Sequence, residues 1–138
     1  MSIKDVSKRA SSESLKGKIP RPHVVSEGAL RNPRVDIAID FMKANLHRRI
    51  PLAELGRVAN LSSSRLSHVF KIQTGLSPGE YLRRLKMEKA RHLLATSLMS
   101  VKEIMAAVGY SNKSHFVRHF RRSFRLSPSE YRERASRS

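Results

Sequence analysis

The 138-residue chain contains no cysteine, which removes disulfide frameworks and thiolate zinc sites together. It has no run of eighteen apolar residues, and its first segment, MSIKDVSKRASSESLKGKIP, holds no apolar stretch fit for a signal peptide. A glycine-rich phosphate loop is missing as well. Acidic side chains are scarce, 11 Asp and Glu against 28 Lys and Arg, and hydrophobic residues make up 39% of the chain. At this length that supports a modest core in one or two small domains and not a large enzyme cavity. The expectation is a soluble, cytoplasmic protein.

What is present in excess is positive charge: a formal +17 and a pI near 11.4. A field of that size favours a polyanionic partner, and nucleic acid suits a compact basic domain. A membrane surface would require a basic amphipathic helix with exposed bulky apolar residues, and no such segment stands apart from the core pattern, so no membrane partner is expected.

Residues 1–31 carry Ser, Gly, Pro and scattered Lys without a sustained period and are expected to form a flexible basic tail, followed by an ordered domain over 32–138. From Asn32-Pro33, an N-cap and first-turn pair, Val35, Ile39, Met42 and Leu46 recur with helical spacing and predict a first helix ending near Leu46. A short helix over Leu52 to Ala59 is expected to turn Leu55 and Val58 inward. Asn60 makes the turn, and a third helix, Ser62 to Thr74, ends at Gly75 with Leu66, Val69 and Phe70 on its apolar face. Ser77-Pro78-Gly79-Glu80, Ser100-Val101-Lys102-Glu103 and Ser127-Pro128-Ser129-Glu130 each read as a capping box. They open a long helix, about 78–95, a short one ending at Val108, and a terminal one over about 128–134. The long helix is expected to bury Leu82, Leu85, Ala90, Leu93 and Leu94. Gly109 and then Asn112 to Phe124, with Phe116, Phe120 and Phe124 inward, complete an all-α set of seven helices with no competing strand alternation.

The chain repeats itself. FKIQTGLSPGEYLRR, Phe70 to Arg84, returns at an offset of 50 as FRRSFRLSPSEYRER, Phe120 to Arg134, while Leu61 matches Tyr110 at 49. Each half holds a short helix, a turn at Asn60 or Gly109, and a longer helix. These are two helix-turn-helix subdomains, about 52–75 and 101–124, joined by the long linker helix. Off the apolar stripe of the first longer helix, Ser64, Ser67, His68 and Lys71 share one face; Ser114, Val117, Arg118 and Arg121 match them in the second. Hydroxyls, an imidazole and a guanidinium can reach base edges, whereas Lys71, Arg121 and the adjacent Arg122 are placed to hold phosphate.

The words LGRVANLS from Leu55, FKIQTGLSP from Phe70 with Tyr81, Arg84-Leu85, Ala90 and Leu93-Leu94 resemble the DNA-binding domain of the AraC/XylS family of bacterial transcription regulators. So do Ile104, GYS at 109–111, SHFVRHF from Ser114, and Leu126-Ser127-Pro128 with Tyr131-Arg132. The resemblance spans about Asn32 to Arg134. It implies a bihelical bundle whose two recognition helices enter successive major grooves on one side of double-stranded DNA. Carried over position by position, it puts base contacts on Ser64, Ser67 and His68, and on Lys113, Ser114, His115, Val117 and Arg118. It also implies a monomer on DNA, RNA polymerase as a protein partner, association with the nucleoid and no cofactor. The 32 residues before the bundle are too few for a ligand-binding domain, so the chain is expected to resemble the single-domain members, with part of a larger regulator as the alternative. Three departures stand out: Gly56 and Met105 where the family usually has Ala, Arg125 where it often has Gly, and Pro51 in place of a hydroxyl cap. Met105 is expected to push the second recognition helix outward, Arg125, at the position matching Gly75, to carry the strain of a left-handed backbone, and Pro51 to sit at the first helical position.

Rival chemistries find little support. His115 and His119 have the i, i+4 spacing of a zinc pair, but Phe-Val-Arg between them lacks the glutamate of a zinc protease. Ser67-His68 and Ser114-His115 are neighbours on helices, about 100° apart, and cannot act as nucleophile and base. No enzymatic activity is expected. The surviving alternative is a non-specific nucleic-acid or nucleoid-binding protein, which shares the charge but not the sequence preference.

Overall fold

The computed structural model describes residues 31–137. Within them lie seven helices: α1 Pro33–Ala44, α2 Leu52–Ala59, α3 Ser63–Thr74, α4 Pro78–Thr96, α5 Val101–Ala107, α6 Lys113–Phe124 and α7 Pro128–Ser136. No strand occurs among the described residues. The tail expected over 1–31 falls outside them except for Arg31, whose Nε donates to Asp36 Oδ2 at 3.1 Å.

Local chemistry accounts for most boundaries. The Asn32 side chain accepts from Arg34 N at 2.9 Å with Pro33 following it, and Ser77, Ser100 and Ser127 each close a reciprocal capping box with the glutamate three residues on. The backbone N–H and side chain of Ser77, and likewise of Ser127, hold the Glu80 and Glu130 carboxyls below the usual carboxylate range. α1 stops at Ala44, before the expected Leu46, because Asn45 leaves helical geometry and turns its side-chain amide back onto Phe41 O at 2.8 Å. Leu46 stays buried from the loop that follows. Pro51 occupies the N-cap of α2, not its first helical residue, and offers no side-chain acceptor. The first turn is tied instead by Glu54, which accepts from Arg48 Nη1 and Nη2 at 3.0 and 2.6 Å.

Two hydrophobic cores form, one in each half. The first gathers Val35, Met42, Leu55, Leu66 and Phe70 with Leu82 and Leu85 from the start of α4. The second gathers Ile104, Met105, Val108, Phe116 and Phe120 with Met87, Ala90 and Leu94 from the rest of α4. The repeat is visible in their packing: Phe70 meets Tyr81 edge-on at 5.3 Å, and Phe120 meets Tyr131 edge-on at 5.8 Å. Val58, expected inside, is 38% exposed; the inner face of α2 is carried by Leu55, Gly56 and Ala59. Leu93 and Phe124 are only half-buried, at the edge of the second core.

The inter-helix turns close alike. Leu61 N donates to Gly56 O and Tyr110 N to Met105 O, both at 2.8 Å, so Met105 does not open the second turn. A Cβ on Gly56 would lie 2.6 Å from Leu61 O, so a larger residue there would force the backbone of this turn to shift. The second turn carries one extra residue, Ser111, and the Met105 side chain packs into the second core. Left-handed backbone occurs at Asn60, Gly75, Gly109 and Arg125.

Candidate nucleic-acid interface

The exposed faces of α3 and α6 are set by how each helix starts. Ser62 accepts from Arg65 N at 3.1 Å, and Asn112, its match at offset 50, accepts from His115 N at 2.9 Å. With the start pinned and Leu66 and Phe70, or Phe116 and Phe120, held in a core, the opposite face is determined. On α3, Ser64, His68 and Lys71 are exposed and Ser67 is half-buried. On α6, Lys113, Ser114, His115, Arg118, Arg121 and Arg122 are exposed and Val117 is half-buried.

The structure brings part of the second set together. Lys113, Ser114, Val117, Arg118, Arg121 and Arg122 line one open recess of about 720 Å³, with Val117 as its apolar component among four cations. His115 lies on the adjacent strip of α6, its ring stacked on that of His119 at 6.3 Å. Arg121 also has Glu130 Oε1 3.8 Å from its Nη2, an exposed and loose pairing that solvent screens.

His119 turns the other way. Its Nδ1 and the Tyr110 hydroxyl share a hydrogen bond of 2.6 Å. Burial, then the positive charges of Arg83, Arg118 and Arg122 and the neighbouring His115, pull the imidazole below its ordinary value. Among the described residues, no three His, Cys, Asp or Glu side chains gather as a metal site. The serines beside His68 and His115 are their sequence neighbours on α3 and α6, Ser67 half-buried and Ser114 exposed.

Charge alone overstates the surface open to a polyanion, because several cations are engaged within the protein. Arg34 Nη1 donates to Ala59 O and Asn60 O at 3.0 and 3.2 Å, closing the end of α2. Arg132 does the same for α4 through Leu94 O and Ser97 O, both at 3.1 Å. Arg91 holds Glu88 and donates to the Tyr131 hydroxyl at 3.0 Å, and Arg48 and Lys86 serve the junction described below. Gln73, which no sequence motif marks, is buried at the far end of α3. Its Oε1 accepts from Asn32 N at 2.6 Å and its Nε2 donates to Asp36 Oδ1 at 3.2 Å, tying the first recognition helix to α1. Only its polar identity within an apolar segment hinted at that.

Two helix-turn-helix units, each presenting a polar or cationic helix face, define a tandem DNA-binding module. A helix-turn-helix domain family model matches residues 55–134. The chain is 46% identical over 100 residues to the transcriptional activator RhaS of Escherichia coli strain SE11, covering 72% of this chain and 36% of that protein. It is 36% identical over 121 residues to the MmsAB operon regulatory protein of Pseudomonas aeruginosa, covering 88% and 38%. Its fold matches an AraC-type DNA-binding regulator from Chromobacterium violaceum, with a TM-score of 0.72 at 27% identity over 80% of this chain and 97% of that one. It also matches the DNA-binding domain of AdpA in complex with a target DNA, with a TM-score of 0.69 at 27% identity over 72% and 90%. The chain belongs to the AraC/XylS family, whose fold and function are those of sequence-specific DNA-binding transcription regulators and not of enzymes. It spans 36–38% of the length of the curated relatives compared above. No helix among the described residues is long and apolar enough to cross a membrane.

Proposed function

We propose that this chain regulates transcription, as an activator, by placing α3 and α6 in successive major grooves on one face of a DNA duplex. The recess on α6 carries the reading. A purely electrostatic binder has use for Lys113, Arg118, Arg121 and Arg122, and for the Ser114 hydroxyl as a phosphate donor, but none for the apolar Val117 set among them. In this reading Ser64, Ser67 and His68 on α3, and Lys113, Ser114, His115, Val117 and Arg118 on α6, face base edges. Lys71, Arg121 and Arg122 hold phosphates. One chain then supplies the two recognition helices that a dimeric helix-turn-helix protein draws from two, so it acts on DNA as a monomer. RNA polymerase is the partner an activator of this kind recruits, and the site of action is the cytoplasmic nucleoid.

Selection of duplexes from a random pool, followed by affinity measurements at fixed salt, tests this. Arg118→Ala should lose about 1–3 kcal/mol on the selected duplex and relax preference at one base pair. Arg121→Ala should weaken selected and random duplexes alike and reduce the salt slope by about one. Equal losses for Arg118→Ala on both duplexes, or no enriched sequence at all, would leave the non-specific binder as the reading.

A further inference from the structure

The two cores divide the linker helix at a single residue. Leu82 and Leu85 belong to the first core and Met87, Ala90 and Leu94 to the second, and between them stands Lys86, 7% exposed. Its Nζ donates to Leu46 O at 2.7 Å and Arg48 O at 2.9 Å, both in the loop between α1 and α2. The third proton goes to Val108 O at 3.0 Å, at the end of α5. Three protons thus meet three carbonyls drawn from both halves. The backbones close in at the same point. A Cβ on Gly109 would lie 2.8 Å from Lys86 Nζ, 3.0 Å from Arg48 N and 3.1 Å from His47 C. Among the described residues no carboxylate bonds Lys86, and Arg48, whose carbonyl it holds, pairs its own guanidinium with Glu54.

Burying an ammonium without a counter-ion is unfavourable, and a methionine of similar length would fill the same space. What the ammonium adds is direction. Apolar contacts hold each unit to its own half of α4 but are non-directional, so they resist a roll of one unit against the other weakly. Three short hydrogen bonds from one atom to two chain segments resist it strongly. They also satisfy carbonyls at a helix end and in a buried loop, which are costly to leave unpaired. Burial, with the Arg48 guanidinium adding, lowers the ammonium to about 8, so at neutral pH it keeps all three protons to donate.

We propose that Lys86 is a positioning residue whose ammonium sets the angle between the two helix-turn-helix units, and through it the spacing and phase of the two recognition helices on DNA. The first part is a property of the free protein; the second rests on the two-groove reading above.

The test separates the parts. Since the full chain has no cysteine, Ala53→Cys and Lys102→Cys, exposed and matched first-turn positions of α2 and α5, accept a pair of spin labels cleanly. The label-to-label distance distribution is measured without DNA in the native background, in Lys86→Met and in Gly109→Ala, which keeps the lysine but crowds its Nζ. The same backgrounds, unlabelled, are titrated with the selected duplex and with that duplex scrambled at the base pairs of one groove. Both substitutions should broaden or shift the distribution. Affinity for the intact duplex should fall by about tenfold or more, while affinity for the scrambled duplex stays within about twofold. If Lys86→Met does not fold, Gly109→Ala decides on the same readings. A native distribution with both duplexes weakened by one factor would reduce Lys86 to a stabilising residue and overturn the proposal. A broadened distribution with the intact-to-scrambled ratio unchanged would leave the positioning role standing and bring down the two-groove reading instead.

Discussion

Both helix-turn-helix units make the same two left-handed turns, yet they place their glycines in opposite ones. In the first unit the inter-helix turn is Asn60 at φ 59° and the residue after the recognition helix is Gly75 at φ 82°. In the second, Gly109 at φ 74° makes the inter-helix turn and Arg125 at φ 68° follows the helix. Backbone conformation is therefore the same, and it does not by itself choose the residue. At 60 the side chain is exposed, and asparagine tolerates the left-handed region. At 109 the space for a Cβ is already filled by Lys86 Nζ and by the backbone of Arg48 and His47. The glycine of the second unit is there because the first unit lies against it.

Exchanging the turns should give the largest effect. Gly109→Asn can adopt the native φ but meets atoms at 2.8 to 3.1 Å, two of the three of them backbone, and should lose about 2–3 kcal/mol of stability in urea unfolding. Asn60→Gly meets no such obstacle and should change stability by no more than about 0.5–1 kcal/mol. Equal losses at the two sites would mean that φ alone governs and that the junction has room to give.

That asymmetry also shows what could be read without coordinates. Capping boxes at Ser77, Ser100 and Ser127 were legible because both partners sit three residues apart and the chemistry is local. Left-handed Arg125 followed from matching it to Gly75. Val58 was misplaced because large side chains dominate an apolar pattern, whereas α2 packs on its small ones. Gly56 and Ala59 face the core with Leu55, and Val58 lies about 100° of helix rotation from the middle of that face. Lys86 was out of reach for another reason. Its partners are main-chain carbonyls 22 to 40 residues away, and every residue has a carbonyl. The Tyr110–His119 bond was within reach, since the repeat puts Leu61 and Val69 at the same two places, and a paired change from apolar to polar is a signal of contact.

Within the recognition faces, the matched pair Ser67 and Val117 sharpens the comparison. Both are half-buried, but only Val117 offers an apolar surface, and it lines the recess with Arg118. A thymine methyl is its natural partner, and burying one methyl contributes about 0.8 kcal/mol, roughly fourfold in affinity. Replacing thymine by uracil at the base pair facing α6 should weaken the native protein by that factor and leave Val117→Ala unaffected. The same replacement under α3 should leave Ser67→Ala and the native protein alike. A native protein indifferent to uracil under α6 would assign Val117 to packing.

The two residues that follow the recognition helices should differ by less. Arg125 holds a left-handed conformation that its Cβ disfavours by about 1 kcal/mol, and glycine relieves this while giving the unfolded chain more freedom. Arg125→Gly should thus stabilise by a few tenths to about 1 kcal/mol, and Gly75→Ala should destabilise by a similar amount, both read as shifts in thermal midpoint. A loss of stability in Arg125→Gly would show that the arginine side chain makes contacts outweighing its backbone strain.

The smallest effect tests the polar pair that only the second unit has. The unfolded His119 ring titrates near 6.5 and the folded ring lower, since burial comes first and Arg83, Arg118, Arg122 and His115 add positive charge around it. Between those values the unfolded chain holds the extra proton, so the contribution of this ring is complete above about pH 6.5 and shrinks as pH falls through that window, levelling off below the folded value. Tyr110→Leu combined with His119→Val gives the second unit the side chains of Leu61 and Val69 and leaves no phenol without its partner. Losing the Tyr110 ring from its edge contact with Phe116 at 5.4 Å will shift absolute stability, but by the same amount at every pH. The quantity to compare is therefore the difference in urea midpoint between pH 7.5 and pH 5.0, which should be smaller in the double variant than in the native chain. If the two differences coincide, the acid sensitivity of the protein resides in other groups, the lowered Glu54, Glu80 and Glu130 carboxyls among them, and the Tyr110–His119 pair separates the two units in packing alone.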